Sequence, residues 1–220
     1  MVRSHINAPW LGTLAALALS LTAHGQIWNE AGDAGQNGVG AAQITVGAGT
    51  LTTINGSLFA ETEVDIYCIR ITNEAAFSAV VTSSAGVDSV LWLFNTDGTL
   101  QVWNDDTDSG NALSTLNSNG VLANGTYFLA ISNWYNDPRT DSNFTLTGDA
   151  SWSGTGPSQG QGNGLVLSGW AGSSGGIGTE GPYTIALQGA EFYLVPAPGA
   201  AAMLALGGLM AAAGRRRTAR

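Results

Sequence analysis

Apolar residues occupy every position from 90 to 94, and a second apolar run follows a short Asn-Thr-Asp-Gly turn at 95–98. Two such runs around an Asp-Gly turn are typical of a β-hairpin. Because the first run has no polar face, we expect it to be covered on both sides, in the middle of a sheet. In the second run Leu100 and Val102 alternate with other residues, so we expect these two side chains to share one face.

Short β-type runs recur along the chain between Gly, Asn and Asp residues, without helical periodicity of any length. This spacing predicts an all-β sandwich. In the run Val64–Ile71, Tyr67, Ile69 and Ile71 form an apolar face, and Asp65 falls on that same face at the start of the strand. The predicted strands are Ala42–Val46, Leu51–Leu58, Val64–Ile71, Phe77–Ser83, Ser89–Asn95, Thr99–Asn104, Tyr127–Asn133, Asn143–Thr147, Leu165–Trp170 and Tyr183–Leu187, with a last piece at Glu191–Val195.

The first 25 residues read as a secretory signal helix. Arg3 gives a positive start, residues 11–21 form an apolar segment, and small residues at Ala23 and Gly25 suit a signal peptidase. We expect cleavage before Gln26. A retained amino-terminal anchor is the alternative, although the apolar segment is short for a bilayer.

The body, residues 26–194, has two Gly-rich parts. Residues 26–40 are small and polar, and we expect an irregular lead-in there. Residues 151–181 contain one apolar island among Gly and Ser. Such a long loop is uncommon inside a compact domain, so a linker between domains is one interpretation. We favour an insertion from which the chain returns, because the run Tyr183–Leu187 is too short to fold alone.

Composition narrows the chemistry. Between residues 26 and 195 two arginines face all 16 acidic residues, a charge balance that repels nucleic acid. The two histidines, His5 and His24, precede the predicted cleavage point, so the mature chain has no imidazole for a catalytic triad or a His-based zinc site. Cys68 is the single cysteine, and we expect a buried thiol. A carboxylate pair is the remaining catalytic option, and no pair stands out; we predict that the chain is not an enzyme.

The carboxyl-terminal segment, residues 195–220, has three parts. Pro196, Ala197 and Pro198 form a stiff spacer, residues 199–214 are 16 positions without charge, and the arginines follow at 215–217. As a helix, 16 residues span about 24 Å, a little short of a bilayer core, and arginine side chains can snorkel. Arg clusters stay cytoplasmic, so this transmembrane helix would hold the body outside.

This layout resembles the PEP-CTERM sorting signal of exosortase systems, with Ala197 where that family usually has Glu. The sorting motif comprises Pro196, Ala197, Pro198, Arg215, Arg216 and Arg217. The resemblance implies membrane retention in transit, cleavage by an exosortase near the prolines, and release to the cell surface or extracellular matrix. Signal peptidase and exosortase are the expected processing partners, and exopolysaccharide is a further candidate partner.

The body resembles the bacterial pre-peptidase C-terminal domain. The motifs are Glu63 to Tyr67, Asp88 before the hairpin, Asn104-Asp105-Asp106 after it, and the run 124–131. The resemblance implies a jelly-roll-like antiparallel β-sandwich that acts as a binding or structural module and not as a peptidase.

The most acidic loop, residues 104–110, offers hard oxygen ligands of the kind that Ca²⁺ takes. Asp105, Asp106 and Asp108 are the predicted calcium ligands, with Asp65 or Asp88 converging from elsewhere. The loop does not fit the EF-hand spacing. The alternative is an Asx-rich turn that leaves the hairpin without a cation. We predict no other cofactor.

Aromatic residues at strand ends give a second candidate. Trp103, Trp134 and Tyr135 lie beside Asn and Asp, where planar rings can stack on sugars. The alternative is that tryptophan fills a core poor in large aliphatic residues, as we expect for Trp92. Together these patterns predict an exported structural or adhesive protein of the surface or matrix, with a carbohydrate- or calcium-binding module as the alternative.

Overall fold

The structure is a computed structural model, and it describes residues 25–107, 112–118, 120, 122–134, 136–141, 146, 160–172 and 180–194. These residues form an all-β, sandwich-like fold with two short 3-10 turns, Val39–Ala41 and Glu74–Ala76. The strands are β1 (Gln26–Asn29), β2 (Gln43–Ile44), β3 (Leu51–Leu58), β4 (Val64–Ile71), β5 (Ser78–Ser84), β6 (Ser89–Phe94), β7 (Leu100–Asn104), β8 (Thr115–Asn117), β9 (Gly125–Asn133), β10 (Pro138–Arg139), β11 (Gly160–Gln161), β12 (Gly169–Trp170), β13 (Gly181–Gln188) and β14 (Ala190–Phe192).

Two sheets form the sandwich. Sheet I has the order β1-β3-β13-β5-β8, and sheet II has the order β11-β7-β6-β9-β4-β14, with β2 also pairing β4. The expectation of purely antiparallel sheets is wrong at two edges, because β1 runs parallel to β3 and β2 runs parallel to β4. The predicted return of the Tyr183 run to the same sandwich is confirmed, since β13 lies between β3 and β5.

The lead-in contains structure that its composition did not suggest. We expected residues 26–40 to be irregular, yet β1 pairs with the edge of β3 from Gln26 to Asn29. Backbone hydrogen bonds to an available strand edge are independent of side-chain type, so a polar, Gly-rich segment can form such a pair. Trp28 fixes this strand further, because its Nε1 donates to Gln43 Oε1 at 2.8 Å.

The predicted central hairpin is confirmed, and its first strand is covered on both faces. Strand β6 lies between β7 and β9 in sheet II. Leu91 and Leu93 belong to the core between the sheets, whereas Val90, Trp92 and Phe94 belong to a second apolar cluster on the outer face of sheet II. All five side chains are fully buried. At about 2 kcal/mol for each buried large side chain, this strand is a main source of stability.

One detail of the hairpin differs from the prediction. Leu93 pairs with Val102, but Phe94 pairs with Leu100, so the register shifts by one residue at Gln101. A bulge of this kind places two residues opposite one. As a result Val102 faces the core between the sheets and Leu100 faces the outer cluster, and the expectation that they share a face is wrong.

A further set of residues covers the outer face of sheet II. Leu146 and Leu167 are buried there, and Trp170 packs edge-on against Trp92 at 6.0 Å and Phe94 at 6.1 Å between ring centroids. We call this part the outer layer, defined by residues 136–141, 146 and 162–172, because Gly160–Gln161 is the edge strand β11 of sheet II. Most of the predicted strand Asn143–Thr147 lies outside the described residues.

Candidate functional site

Two groups of carboxylates stand out among the described residues. The first, which we call the amino-terminal acidic site, comprises Glu30, Asp33 and Asp65, and one carboxylate oxygen of each lies within 4.8 Å of the others. Glu30 follows β1 and Asp65 is the second residue of β4, so the site joins the lead-in to the sandwich. Three acidic groups this close repel one another unless a proton or a cation compensates them.

Backbone hydrogen bonds position Glu30 and Asp33. The Glu30 carboxylate accepts from the amide of Ala34 at 2.9 Å and from the amide of Ser57 at 2.9 Å, and it thereby ties the lead-in to β3. Asp33 Oδ1 accepts from the amide of Gly35 at 2.9 Å. Burial raises the pKa of Glu30, against the lowering effect of these backbone bonds.

Asp65 is fully buried on the inner side of β4. Its Oδ2 accepts from the Tyr183 hydroxyl at 2.5 Å, and that hydroxyl is 2.5 Å from the Tyr67 hydroxyl. Gly56 makes room for the two tyrosines, because a Cβ there would lie 2.3 Å from the Tyr183 oxygen. Asp65 Oδ1 meets no hydrogen-bond donor in the described part of the chain.

Electrostatics make Asp65 an unusual carboxyl group. Burial raises its pKa to about 8; the Tyr183 hydrogen bond opposes this shift and the Glu30 charge adds to it. A buried carboxylate with one unpaired oxygen is costly, since a protein normally pairs such atoms. Oxygen atoms of this kind beside two further carboxylates suit a hard divalent cation.

The second group, which we call the sheet-end acidic site, comprises Asp88, Asp105 and Asp106, with one carboxylate oxygen of each within 4.8 Å of the others. Asp88 precedes β6 and the other two follow β7. Two of the predicted calcium ligands, Asp105 and Asp106, are therefore brought together with Asp88, which sequence reasoning named as a converging candidate. Asp108 lies outside the described residues, and Asp65 belongs to the other site.

The loop after β7 is held by groups other than these carboxylates. The Asn104 side chain accepts from the amide of Thr115 at 2.8 Å and donates to the Asp106 carbonyl at 3.1 Å. The amide of Thr107 donates to the Leu113 carbonyl at 2.9 Å. The Asn104 side chain therefore holds this turn, in line with the alternative of an Asx-rich turn, and none of these hydrogen bonds involves the buried Asp105 carboxylate.

Two of the predicted glycan contacts, Trp103 and Trp134, differ in how far the structure exposes them. Trp103 is 8% exposed and stacks on Trp92 with 5.6 Å between ring centroids, so it presents no open face to a sugar. Trp92 is fully buried, as expected, in the apolar cluster on the outer face of sheet II, and its Nε1 donates to Ser132 Oγ at 2.9 Å. Trp134 is half-buried, and its amide donates to the Asp88 carbonyl at 2.9 Å. Tyr135 lies outside the described residues.

The remaining expectations concern the ends of the chain and the thiol. The signal segment, the sorting motif and the apolar run 199–214 lie outside the described residues. Within the described part, no helix has the length and apolar character needed to cross a membrane. The Cys68 thiol is buried and free, as predicted, and burial raises its pKa to about 11.

No protein-family model matches the chain, and a search of curated proteins finds no match.

Sequence reasoning missed Glu30 and Asp33 as site residues, because the lead-in was treated as irregular. A signal was nevertheless present. Asp65 falls on the apolar face of its strand, and a carboxylate on a buried face needs a partner. The pattern could have directed attention to acidic residues elsewhere in the chain, although it could not identify which ones approach Asp65.

Proposed function

We propose that this chain is an exported structural or adhesive module of the bacterial cell surface or extracellular matrix, and that calcium at the amino-terminal acidic site completes its sandwich. The mature body acts without catalysis in this proposal, because no histidine follows residue 24 and the single thiol is buried. A cation that joins β1, its loop and β4 would reinforce a protein that works outside the cell.

One observation carries the calcium part of the proposal. Asp65 Oδ1 is buried and has no donor within the described residues, while Glu30 and Asp33 carboxylate oxygens lie within 4.8 Å of the Asp65 ligand atom. Carboxylates from separate segments around one point are the donor set that Ca²⁺ prefers. Because Asp65 is fully buried, bulk water cannot be the main source of compensation for the charge of its carboxylate.

Calcium titration of the full chain tests this part. We expect heat of binding in calorimetry and a melting temperature that rises with calcium, since a ligand specific for the folded state stabilises it by about 2.7 kcal/mol at about 100 times its Kd. Asp65→Asn should abolish the binding event assigned to this site. Asp141→Asn, an exposed carboxylate away from the site, is the matched control and should behave like the wild type.

Magnesium is the comparison ion, because its small octahedral shell suits a site of several fixed carboxylates less well. If neither ion gives heat or raises the melting temperature, the calcium part of the proposal fails. An Asp65→Asn variant that binds as much calcium as the wild type would assign the binding to other residues.

Export and sorting form the second part of the proposal. What supports it is the order of the carboxyl-terminal parts, with two prolines, an uncharged run and an arginine cluster, together with the amino-terminal signal pattern. The body motifs support a jelly-roll-like module of the pre-peptidase C-terminal type. The proposal places the protein at the membrane in transit, with signal peptidase and an exosortase as its processing enzymes and exopolysaccharide as a candidate partner.

Mass spectrometry of the protein recovered outside the cell tests the sorting part. We expect a new amino terminus at Gln26 and a carboxyl terminus near Pro196–Pro198. Deleting an exosortase gene should leave the uncut protein in the membrane fraction. Recovery of the intact chain from the cytosol would refute this part and would leave the calcium part open to its own test.

Glycan binding is the second candidate, and one surface feature favours it. An open cleft next to Glu30 is lined by Asn29, Asn55, Ser57 and Phe59, and Phe59 is 62% exposed. An exposed ring beside amide groups can stack on a sugar and donate to its hydroxyls. Binding to a panel of bacterial exopolysaccharides, lost in Phe59→Ala, would support this function; equal binding by the variant would exclude the cleft.

A further inference from the structure

Three carboxylates meet at one end of sheet II, and the segment that carries a fourth starts at the same end. Strands β6 and β7 are antiparallel neighbours, so Asp88 before β6 and Asp105 and Asp106 after β7 lie at the same end. Strand β9 pairs antiparallel with β6 on the other side, with Ser89 opposite Asn133, so the segment after β9 also starts there. That segment carries Asp137, immediately before β10 of the outer layer.

Two of these carboxylates are buried and incompletely paired. Asp105 is 8% exposed and Asp137 is 7% exposed, and Oδ1 of each meets no hydrogen-bond donor among the described residues. Burial raises the pKa of Asp105 to about 7, and the charges of Asp106, Asp88 and Asp137 add to the shift. Asp105 is therefore within electrostatic reach of the other three carboxylates.

Protein cations do not compensate this charge fully. Arg139 lowers the pKa of Asp137, but burial dominates and raises that pKa to about 6. Arg70, the other arginine in the described residues, pairs with Glu191. A hard divalent cation beside Asp105 would supply the partner that its Oδ1 lacks, and it has room for further ligands from neighbouring segments, since it takes six or more oxygens from side chains, carbonyls and water.

Asp137 connects this end of sheet II to the outer layer. Its carbonyl accepts from the amide of Ala171 at 2.8 Å, and the neighbouring strands β10 and β12 pair Pro138 with Trp170. Trp170 in turn packs on Trp92, in the centre of the outer apolar cluster. A ligand that fixes Asp137 therefore fixes the segment that holds Trp170 over Trp92.

We propose that Asp88, Asp105, Asp106 and Asp137 form a second divalent-cation site of the calcium type, and that through Asp137 the bound cation fastens the outer layer to sheet II. The inference deepens the proposed function, on which it rests for the view that calcium stabilises this module. It assigns to the second cation a separate task, which is to keep the tryptophan cluster covered.

The test uses the full chain with calcium as the probe. In an Asp65→Asn background, which removes the amino-terminal acidic site, we expect one calcium to remain in calorimetry. Adding Asp105→Asn should remove it, and adding Asp137→Asn should weaken it by about tenfold or more. Asp97→Asn is the matched control, because Asp97 lies in the turn at the opposite end of the same hairpin and should leave binding unchanged.

Hydrogen exchange tests whether the cation fastens the outer layer to sheet II. In the Asp65→Asn variant, calcium should slow exchange of amides in residues 162–172 and change tryptophan fluorescence, whereas in the variant with Asp137→Asn added it should do neither. If Asp137→Asn prevents folding, the fastening role can still be tested by comparing exchange in the Asp65→Asn protein with and without calcium. Unchanged exchange in residues 162–172 would overturn the fastening role.

The outcomes separate this inference from the proposed function. Loss of all calcium binding in Asp65→Asn would overturn the second site and leave the amino-terminal site intact. If Asp65→Asn binds as much calcium as the wild type and Asp105→Asn binds none, the amino-terminal site is overturned and the second site stands. Wild-type affinity in the Asp137→Asn variant would remove Asp137 from the ligand set and overturn the inference as stated.

Discussion

The buried Asp65 carboxyl makes a sharp prediction about how stability depends on pH. Replacing Asp65 with Asn keeps the size of the side chain and removes its charge. In the absence of calcium the ionised form is disfavoured in the folded protein, because burial raises the pKa of Asp65 to about 8 from an ordinary value of 3.8. The folded state therefore binds a proton that the unfolded state releases over the intervening pH range, and stability falls as pH rises.

The size of the effect follows from these two pKa values. Each tenfold difference in proton affinity corresponds to about 1.4 kcal/mol. The contribution of Asp65 is fully present below the unfolded value of 3.8 and is lost as pH rises through the folded value of about 8, a loss of about 5 kcal/mol at pH 8. Asp105 and Asp137 shift in the same direction, so the wild type alone does not isolate Asp65.

The assay is urea unfolding of the wild type and Asp65→Asn in chelator at several pH values between 3 and 9. We expect the free energy of unfolding of the wild type, minus that of the variant, to decrease by about 5 kcal/mol across this range. Saturating calcium should reverse the order at pH 8, because only the wild type has the complete site. A difference that stays constant with pH, or a variant as stable as the wild type in calcium, would refute the reasoning.

Three further changes have defined outcomes. Ser132→Ala should destabilise the protein by about 1–3 kcal/mol in urea unfolding, because it removes the hydroxyl that accepts from the buried Trp92 Nε1; Ser132→Thr should retain most of the stability. Gly56→Ala should cost about 1–3 kcal/mol, since its Cβ would lie 2.3 Å from the Tyr183 oxygen, and Tyr183→Phe should relieve part of that cost in the double variant. The Cys68 thiol should react with a thiol reagent only as fast as the protein unfolds, because burial raises its pKa to about 11; rapid labelling of the folded protein would contradict this.

The strongest patterns in the sequence predicted the fold well. An uninterrupted apolar run at 90–94 indicated coverage on both faces, and strand β6 has the sandwich core on one face and the outer cluster on the other. The turn at 95–98 also closes as predicted, since the amide of Asn95 donates to the Thr99 carbonyl at 2.9 Å. Local side-chain patterns therefore identify a strand when its own apolar residues determine which of its faces are buried.

Features set by distant partners could not be derived from local patterns. The bulge at Gln101 changes the face of Leu100 and has no Gly or Pro to mark it. Strand β8 has three residues, Thr115–Asn117, too few for any alternation to be recognised. Strand β1 forms because the edge of β3 is available, which is a property of the assembled sheet.

The acidic sites divide in the same way. Asp105 and Asp106 were predicted from clustered charge, and Asp88 was named, as an alternative to Asp65, as a residue that converges from another loop. Glu30 and Asp33 approach Asp65 only after β1 pairs with β3. A site formed by the residues that flank a predicted hairpin can be predicted from the sequence, whereas a site that depends on an unpredicted strand cannot.

The position of β13 has a consequence for the order in which the molecule is made. Sheet I needs Gly181–Gln188 between β3 and β5, so neither of those strands has its central neighbour until nearly the whole body has been synthesised. Contacts between residues so far apart in the chain form slowly. Completion of sheet I therefore waits for the last long strand, and the two halves of this sheet cannot join until that strand has left the ribosome.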